Sequence, residues 1–184
     1  VAGYGVYWPE MGINTIGMLE PGKAYYILAD QPVAITFADC AKNTSGKPEK
    51  VRTPKDLENL LGLAGWNVPA ATPATHTIAI NKAAVEGFET GSIIGVFDNA
   101  DRCFGVMQIN GTSSCITAFG DDAYNPEKNG FLQPEAMSFK LYGPSTGEVV
   151  ELVAEFDLTQ PQSSGQFMEN GLSAISEFKN GATT

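Results

Sequence analysis

Short apolar segments, separated by turn-forming residues, recur along most of the chain. From residue 66 onward, seven segments have the length and composition of strands, and Gly, Pro, Asn or Asp stands in nearly every gap. They are THTIAINK, SIIGVFD, CFGVMQI, SCITAFG, EAMSFKLY, EVVELVAEFD and GLSAISEF. This pattern predicts an all-β fold, and the spacing of the segments favours a β-sandwich of the immunoglobulin-like or jelly-roll-like kind.

A shorter β-rich region precedes it. KAYYILA and VAITFAD are predicted strands, and EPGK and ADQP are predicted turns. Three or four short strands bury little surface, so we interpret this region as a small, incomplete β unit that needs a partner surface.

One short helix is predicted over the segment TPKDLENLLGLAG. Thr53 is a suitable N-cap, and Pro54 suits the first helical position. One apolar face is formed by Leu57, Leu60 and Leu61. Gly62 or Gly65 can end the helix after about two turns.

These patterns predict three parts. A small β unit occupies residues 1–40, a linker and the helix occupy residues 41–65, and the β-sandwich domain occupies residues 66–184. The segment at 41–52 is assigned to the linker because it is polar and carries four of the eleven Lys and Arg residues of the chain.

Composition narrows the classes of partner. The chain has 184 residues, a net charge of −10 and a pI of about 4.4. An acidic surface repels phosphate backbones and anionic lipid, so nucleic acid is not expected as a partner. Membrane insertion is not expected either, because no apolar run approaches the ~20 residues that span a bilayer. Since the chain begins VAGYGVYW without Met, we expect a mature or partial product.

Four aspartates form the candidate ion site. One pair lies in the turn that begins at the last residue of SIIGVFD, and the other pair directly follows SCITAFG. If the segments between residues 92 and 120 form an up-down-up meander, both turns lie at one end of the sandwich. Calcium takes about six to eight oxygen ligands, so we predict a calcium site at Asp98, Asp101, Asp121 and Asp122. The competing interpretation is plain turn chemistry, because Asp side chains bond to their own backbone.

Catalytic chemistry has little support. The single histidine, His76, begins a predicted strand and is interpreted as a strand-edge residue; no G-x-S-x-G motif is present, and we assign no catalytic residue. None of the three cysteines forms a C-x-x-C pair, which argues against zinc. They leave open one disulfide that includes Cys40, or buried thiols at Cys103 and Cys115.

Aromatic residues are the candidate ligand contacts. An exposed row of aromatic rings would suit stacking against sugars, and Trp8 and Tyr124 are the predicted ligand-binding residues. The alternative is that Trp8 and Trp66 anchor the core.

The first region resembles a β module found near the carboxyl end of large secreted proteins of the Bacteroidota. The resemblance rests on YWP at residues 7–9, INTIG at residues 13–17 and the L-x-P-G-x-x-Y turn at residues 19–25. That module normally begins with a GWN strand well upstream of these motifs, and this chain lacks that front half. The resemblance therefore implies a first unit that is open, truncated or completed from elsewhere.

The second region resembles another module of the same proteins. The matching segments lie at 91–97, with Ser92 in place of the usual Asp, at 103–105, 120–122 and 130–131, and at Glu135 before Phe139 and Leu141. The resemblance implies export by the type IX secretion route and a place at or beyond the cell surface.

These observations lead us to expect a non-catalytic structural or adhesive protein at the cell surface. The open first unit suggests the subunit of a fibre assembled by strand addition, with self-association or other surface proteins as partners. The alternative is a carbohydrate-binding accessory module of a secreted hydrolase, with glycans as ligands.

Overall fold

The computed structural model describes residues 5–17, 19, 25, 27, 54–67 and 71–181. The predicted strands KAYYILA and VAITFAD lie outside the described residues apart from Tyr25 and Ile27. The linker at 41–52, the N-cap Thr53 and any disulfide of Cys40 also lie outside them.

Strands dominate the described residues. Their bounds, with those of the one α-helix in this part of the chain, are β1 Tyr7–Trp8, β2 Ile13–Asn14, α1 Pro54–Ala64, β3 Thr75–Ile80, β4 Ile93–Phe97, β5 Cys103–Gln108, β6 Ser114–Phe119, β7 Glu135–Ala136, β8 Ser138–Gly143, β9 Glu148–Phe156, β10 Gln166–Phe167 and β11 Gly171–Asn180. All seven strands predicted after residue 66 are confirmed, although EAMSFKLY is divided between β7 and β8. The short β10, which pairs with β7, was not predicted.

Seven strands form one mixed sheet in the order β5-β4-β8-β9-β11-β3-β6. Neighbours are antiparallel except β11 and β3, which are parallel. The terminal strands β5 and β6 approach each other so closely that a Cβ atom on Gly105 would lie 2.5 Å from the carbonyl oxygen of Thr117. The sheet is therefore nearly barrel-like, and we call it the barrel. The β-rich class is confirmed; the sandwich arrangement is not.

The predicted meander is wrong at its third strand. β4 and β5 form the expected antiparallel pair, but β6 leaves β5 and pairs with β3, where Cys115 lies opposite Ala79. The strands alternate in the same way under either pairing, so the sequence pattern did not distinguish them.

Aromatic rings pack the centre of the barrel. Phe131 stacks on Phe167 at 5.4 Å between centroids and meets Phe104 edge-on at 5.2 Å. Farther along, Phe139 meets Phe178 edge-on at 5.5 Å. Rings of this size fill a small barrel with side chains.

α1 covers the outer face of β4, β5 and β8. Leu61 and Trp66 pack there with Tyr142, and Trp66 meets Phe97 edge-on at 5.1 Å. The helix ends at Gly65, whose φ of 71° is left-handed; the N–H groups of Gly65 and Trp66 donate to the carbonyls of Gly62 and Leu61. α1 has 11 residues, which make about three turns, whereas about two turns were predicted. In the described part of the chain, no helix has the length and apolar character needed to cross a membrane.

The β1–β2 hairpin covers a second part of the outer face. Ile13 is buried against Ala79 of β3 and Ala174 of β11, and Trp8 packs beside it. The outer face of β9 lies between these two covers and leaves Val149 and Val153 exposed. The predicted boundaries between the three parts of the chain stay a prediction.

Candidate functional site

Asp98 is the centre of a polar network at one end of the barrel. It directly follows β4, and its side chain is fully buried. The carboxylate accepts hydrogen bonds from the N–H groups of Ala100 (3.0 Å) and Arg102 (2.9 Å). The Arg102 guanidinium donates two more, through Nε (3.0 Å) and Nη2 (2.7 Å). Turn chemistry at Asp98 is thus confirmed, because the carboxylate bonds the backbone of its own turn.

Lys128 joins this turn to two other segments. Its Nζ lies 2.9 Å from Oδ2 of Asp98 and 2.7 Å from both carboxylate oxygens of Glu135. The ammonium group also lies 5.8 Å from the centre of the Phe104 ring. The loop at 121–130 that carries Lys128 is held by backbone bonds between Phe119, Asp121 and Phe131. The Lys128 ammonium group therefore bridges the carboxylates of Asp98 and Glu135.

The network keeps Asp98 ionised. Burial alone would raise the pKa of its carboxyl. Hydrogen bonds from Arg102, Lys128 and the backbone outweigh burial and lower the pKa from 3.8 to about 2. A buried carboxylate with this many donors is a structural anchor, since each donor stabilises its charged form.

The other three predicted ion ligands have separate partners. Asp101, in left-handed conformation with a φ of 62°, pairs with Lys140 at 2.5 Å. Asp121 accepts the N–H of Asn129 at 2.7 Å, and Asp122 accepts the N–H of Tyr124 at 3.0 Å. The 98–102 turn and the 121–130 loop do meet at one end, as expected, although not through a meander.

Among the described residues, no group of three or more His, Cys, Asp or Glu side chains is placed to hold a metal ion. Calcium binding by Asp98, Asp101, Asp121 and Asp122 therefore stays a prediction. The sequence reasoning missed Arg102 and Lys128. The sequence could have pointed to Arg102, because an arginine four residues after an aspartate can pair with it, and the two form an ion pair at 2.7 Å. Nothing in the sequence near Asp98 points to Lys128, which lies 30 residues away.

The two predicted ligand-binding aromatics differ in exposure. Tyr124 lies on the 121–130 loop with 97% of its surface exposed. Trp8 is half-buried beside Ile13. Trp66 is 8% exposed, which confirms it as a core anchor.

His76 does not lie at an exposed strand edge, so that prediction is wrong. Its ring is fully buried, with Nε2 2.9 Å from Oγ of Ser173, while Nδ1 accepts the N–H of Met168 at 3.1 Å. Because Nδ1 is an acceptor, Nε2 carries the proton and donates to Ser173. Burial lowers the pKa of His76 from 6.5 to about 4. The histidine is a neutral core residue.

Cys103 and Cys115 are free thiols. Burial raises the pKa of each from 9.0 to about 11. Neither is an activated nucleophile, since reactive thiols have a lowered pKa.

Comparison of the chain with models of protein families, with curated proteins and with solved structures found no match. The resemblance to modules of secreted Bacteroidota proteins, with the export route that it implies, stays a prediction.

Proposed function

We propose that the protein is a non-catalytic structural or adhesive protein that acts at the cell surface or beyond it. The observation that carries the proposal is the aromatic packing inside the barrel, where Phe131 stacks on Phe167 at 5.4 Å. A small barrel filled by its own side chains presents its outer surface and its two ends to partners.

The ionisable groups inside the fold support a non-catalytic role. Asp98 is paired with Arg102 and Lys128, and His76 is neutral and bonded at both ring nitrogens. Catalytic groups combine a perturbed pKa with access to a cleft, whereas Asp98 and His76 are 2% and 0% exposed.

Assembly by strand addition is part of this proposal. In the described part of the chain, β1 and β2 form a sheet of only two strands. Within the described residues, the outer edges of this sheet have no neighbouring strand, and a strand of a neighbouring chain can add to such an edge. The barrel offers less opportunity, because β5 and β6 lie against each other.

Native mass spectrometry and electron microscopy over a wide concentration range test this proposal. We expect ordered oligomers or filaments at high concentration. Hydrogen exchange then locates the contact, and slower exchange at residues 5–15 in the assembled form is the expected result. A folded monomer at every concentration would refute fibre assembly. Assembly with unchanged exchange at residues 5–15 would place the contact elsewhere.

Carbohydrate binding is the second candidate, and Tyr124 favours it. Its ring is 97% exposed, and its loop is held by Lys128 and by Asp121, which accepts the N–H of Asn129 at 2.7 Å. An exposed ring on a fixed loop suits stacking on a sugar. A glycan array decides this: binding lost in Tyr124→Ala but kept in Tyr7→Ala, which alters another exposed ring, would establish it. An array on which the protein binds no glycan would refute carbohydrate binding.

A further inference from the structure

A cleft of about 410 Å³ opens at the end of the barrel away from Asp98. Asp98 follows the last residue of β4, whereas Ser92 in the cleft precedes the first. Apolar atoms are supplied to the cleft by Phe88, Leu141 and Val150, and carboxylates are supplied by Glu86, Glu89 and Glu148. The cleft therefore combines an apolar wall with an acidic rim.

The walls of the cleft are held by hydrogen bonds. Ser145, in the turn between β8 and β9, donates from Oγ to Oε2 of Glu89 at 2.6 Å and so ties the two sides of the rim together. The same turn is closed by a 2.8 Å bond from the N–H of Gly147 to the carbonyl of Gly143. The opposite wall is fixed where the N–H of Gly91 donates to the carbonyl of Ile109, also at 2.8 Å.

Among the described residues, the three carboxylates of the rim have no cationic partner. Within the described residues, the ion pairs involve Asp98, Asp101, Glu135, Glu155 and Glu177, and none involves a carboxylate of the cleft. Unpaired negative charge around an apolar wall attracts a cation that also has an apolar part.

The hydroxyl of Ser92 is the second feature that points to a ligand. Ser92 is 1% exposed and lies on the same side of the strand as Ile94 of the core. Its N–H donates to Glu89 and its carbonyl accepts from Ile109, but its hydroxyl makes no hydrogen bond within the described residues. Because every fully buried side-chain N or O among those residues has a partner, the small exposed part of Ser92 is the hydroxyl, which faces the cleft.

We propose that this cleft binds an aliphatic ammonium group, the side chain of a lysine on a protein partner. The methylene groups pack against Phe88, Leu141 and Val150, while the ammonium group lies among the carboxylates. Its three N–H groups need acceptors, and the hydroxyl oxygen of Ser92 supplies one. Lysine fits better than arginine because separate acceptors around a point do not match a planar, forked guanidinium. The proposal does not depend on fibre assembly or on secretion.

The probe for the experiment is Nα-acetyl-lysine methylamide, followed by two-dimensional NMR of the intact protein. We expect concentration-dependent shifts confined to residues 86–92, 141–150 and 180. Nα-acetyl-norleucine methylamide, which has the apolar chain without the charge, should bind at least tenfold more weakly. Equal binding of the two probes would overturn the proposal, as would shifts spread over the other acidic surfaces of the protein.

Three variants make the test specific. Glu148→Gln should weaken binding of the lysine probe about fivefold or more, because it removes one carboxylate of the rim. Ser92→Ala should weaken it about threefold without lowering the melting temperature, since the hydroxyl has no internal partner to lose. Glu169→Gln, an exposed site outside the cleft, is the matched control and should bind like the unchanged protein. Unchanged binding in both cleft variants would refute the proposal.

Discussion

Nζ of Lys128 lies 2.9 Å from Oδ2 of Asp98, although 30 residues separate the two along the chain. The contact fastens the 121–130 loop to the turn between β4 and β5. Since the Asp98 side chain is fully buried and that of Lys128 is 19% exposed, water competes little for this ion pair. The two residues should therefore contribute more to stability than exposed pairs do.

Lys128→Met should lower the free energy of unfolding by about 2 kcal/mol, because a buried carboxylate loses one of its charged donors while Arg102 remains. The methionine keeps an apolar contact with Phe104. Urea denaturation measures the change through the midpoint. The control is Lys179→Met, which removes a half-exposed partner of Glu155 and should lower the free energy of unfolding much less, because solvent screens an exposed pair. An equal loss of unfolding free energy in both variants would contradict the larger contribution that we assign to the buried pair of Lys128 and Asp98.

His76 should make stability depend on pH between about 6.5 and 4. Its pKa is lowered from 6.5 to about 4 in the folded state, so the unfolded chain binds the proton first as the pH falls. Stability is then lost across that window, by up to about 3 kcal/mol, and the slope ends near pH 4. His76→Gln should flatten the dependence. Because His76 is the only histidine, NMR titration reports its pKa directly, and a value near 6.5 would refute burial.

Asp98 should act in a second window at lower pH. Its pKa is lowered from 3.8 to about 2, so the stability that its charge contributes is complete above pH 4 and is lost as the pH falls toward 2. Asp98→Asn should remove the dependence in this window while leaving the one due to His76. Denaturation curves recorded on both sides of pH 4 separate the two effects. If Asp98→Asn lost stability between pH 4 and pH 2 as the unchanged protein does, the pH dependence in this window would not be due to Asp98.

Cys103 and Cys115 should react slowly with thiol reagents while the protein is folded. Burial raises the pKa of both from 9.0 to about 11, which alone reduces the thiolate at pH 8 about 100-fold. Labelling of Cys40→Ser in native buffer and in urea gives the comparison. Rapid native labelling of either thiol would contradict the structure.

Gly105→Ala tests the approach of β5 to β6. The added Cβ would lie 2.5 Å from the carbonyl oxygen of Thr117, so backbone must move, and we expect a loss of about 1–3 kcal/mol. Gly62→Ala in α1 is the control. A Cβ atom at position 62 would meet no atom within 4 Å, so this substitution should be neutral or should stabilise the helix by about 0.5 kcal/mol. A neutral Gly105→Ala would mean that β5 and β6 stand apart.

The strands were predictable because each is a local pattern. β4 reads IIGVF and is buried throughout, and glycine, proline and polar residues mark where such segments stop. The end of α1 was predictable for the same reason, since Gly65 takes the left-handed conformation that closes a helix.

Pairing and site chemistry were not predictable in this way. Whether β6 forms its ladder of hydrogen bonds with β5 or with β3 depends on how the whole sheet curls, and the alternation of side chains along β6 is the same in both cases. The partner of Asp98 was hidden for a similar reason: Lys128 is 30 residues away, and only the tertiary fold shows that its ammonium group enters the network.

The position of β11 determines the order in which the molecule can form. This strand lies between β9 and β3 and is parallel to β3, which begins almost a hundred residues earlier. While a ribosome extends the chain, β3 has only β6 to pair with, and β9 has only β8. The facing edges of β9 and β3 cannot be joined by hydrogen bonds until β11 has been synthesised. A chain cut before residue 171 would expose the facing edges of β3 and β9, so we expect it to aggregate, and slow folding of the intact chain follows from the same long-range pairing.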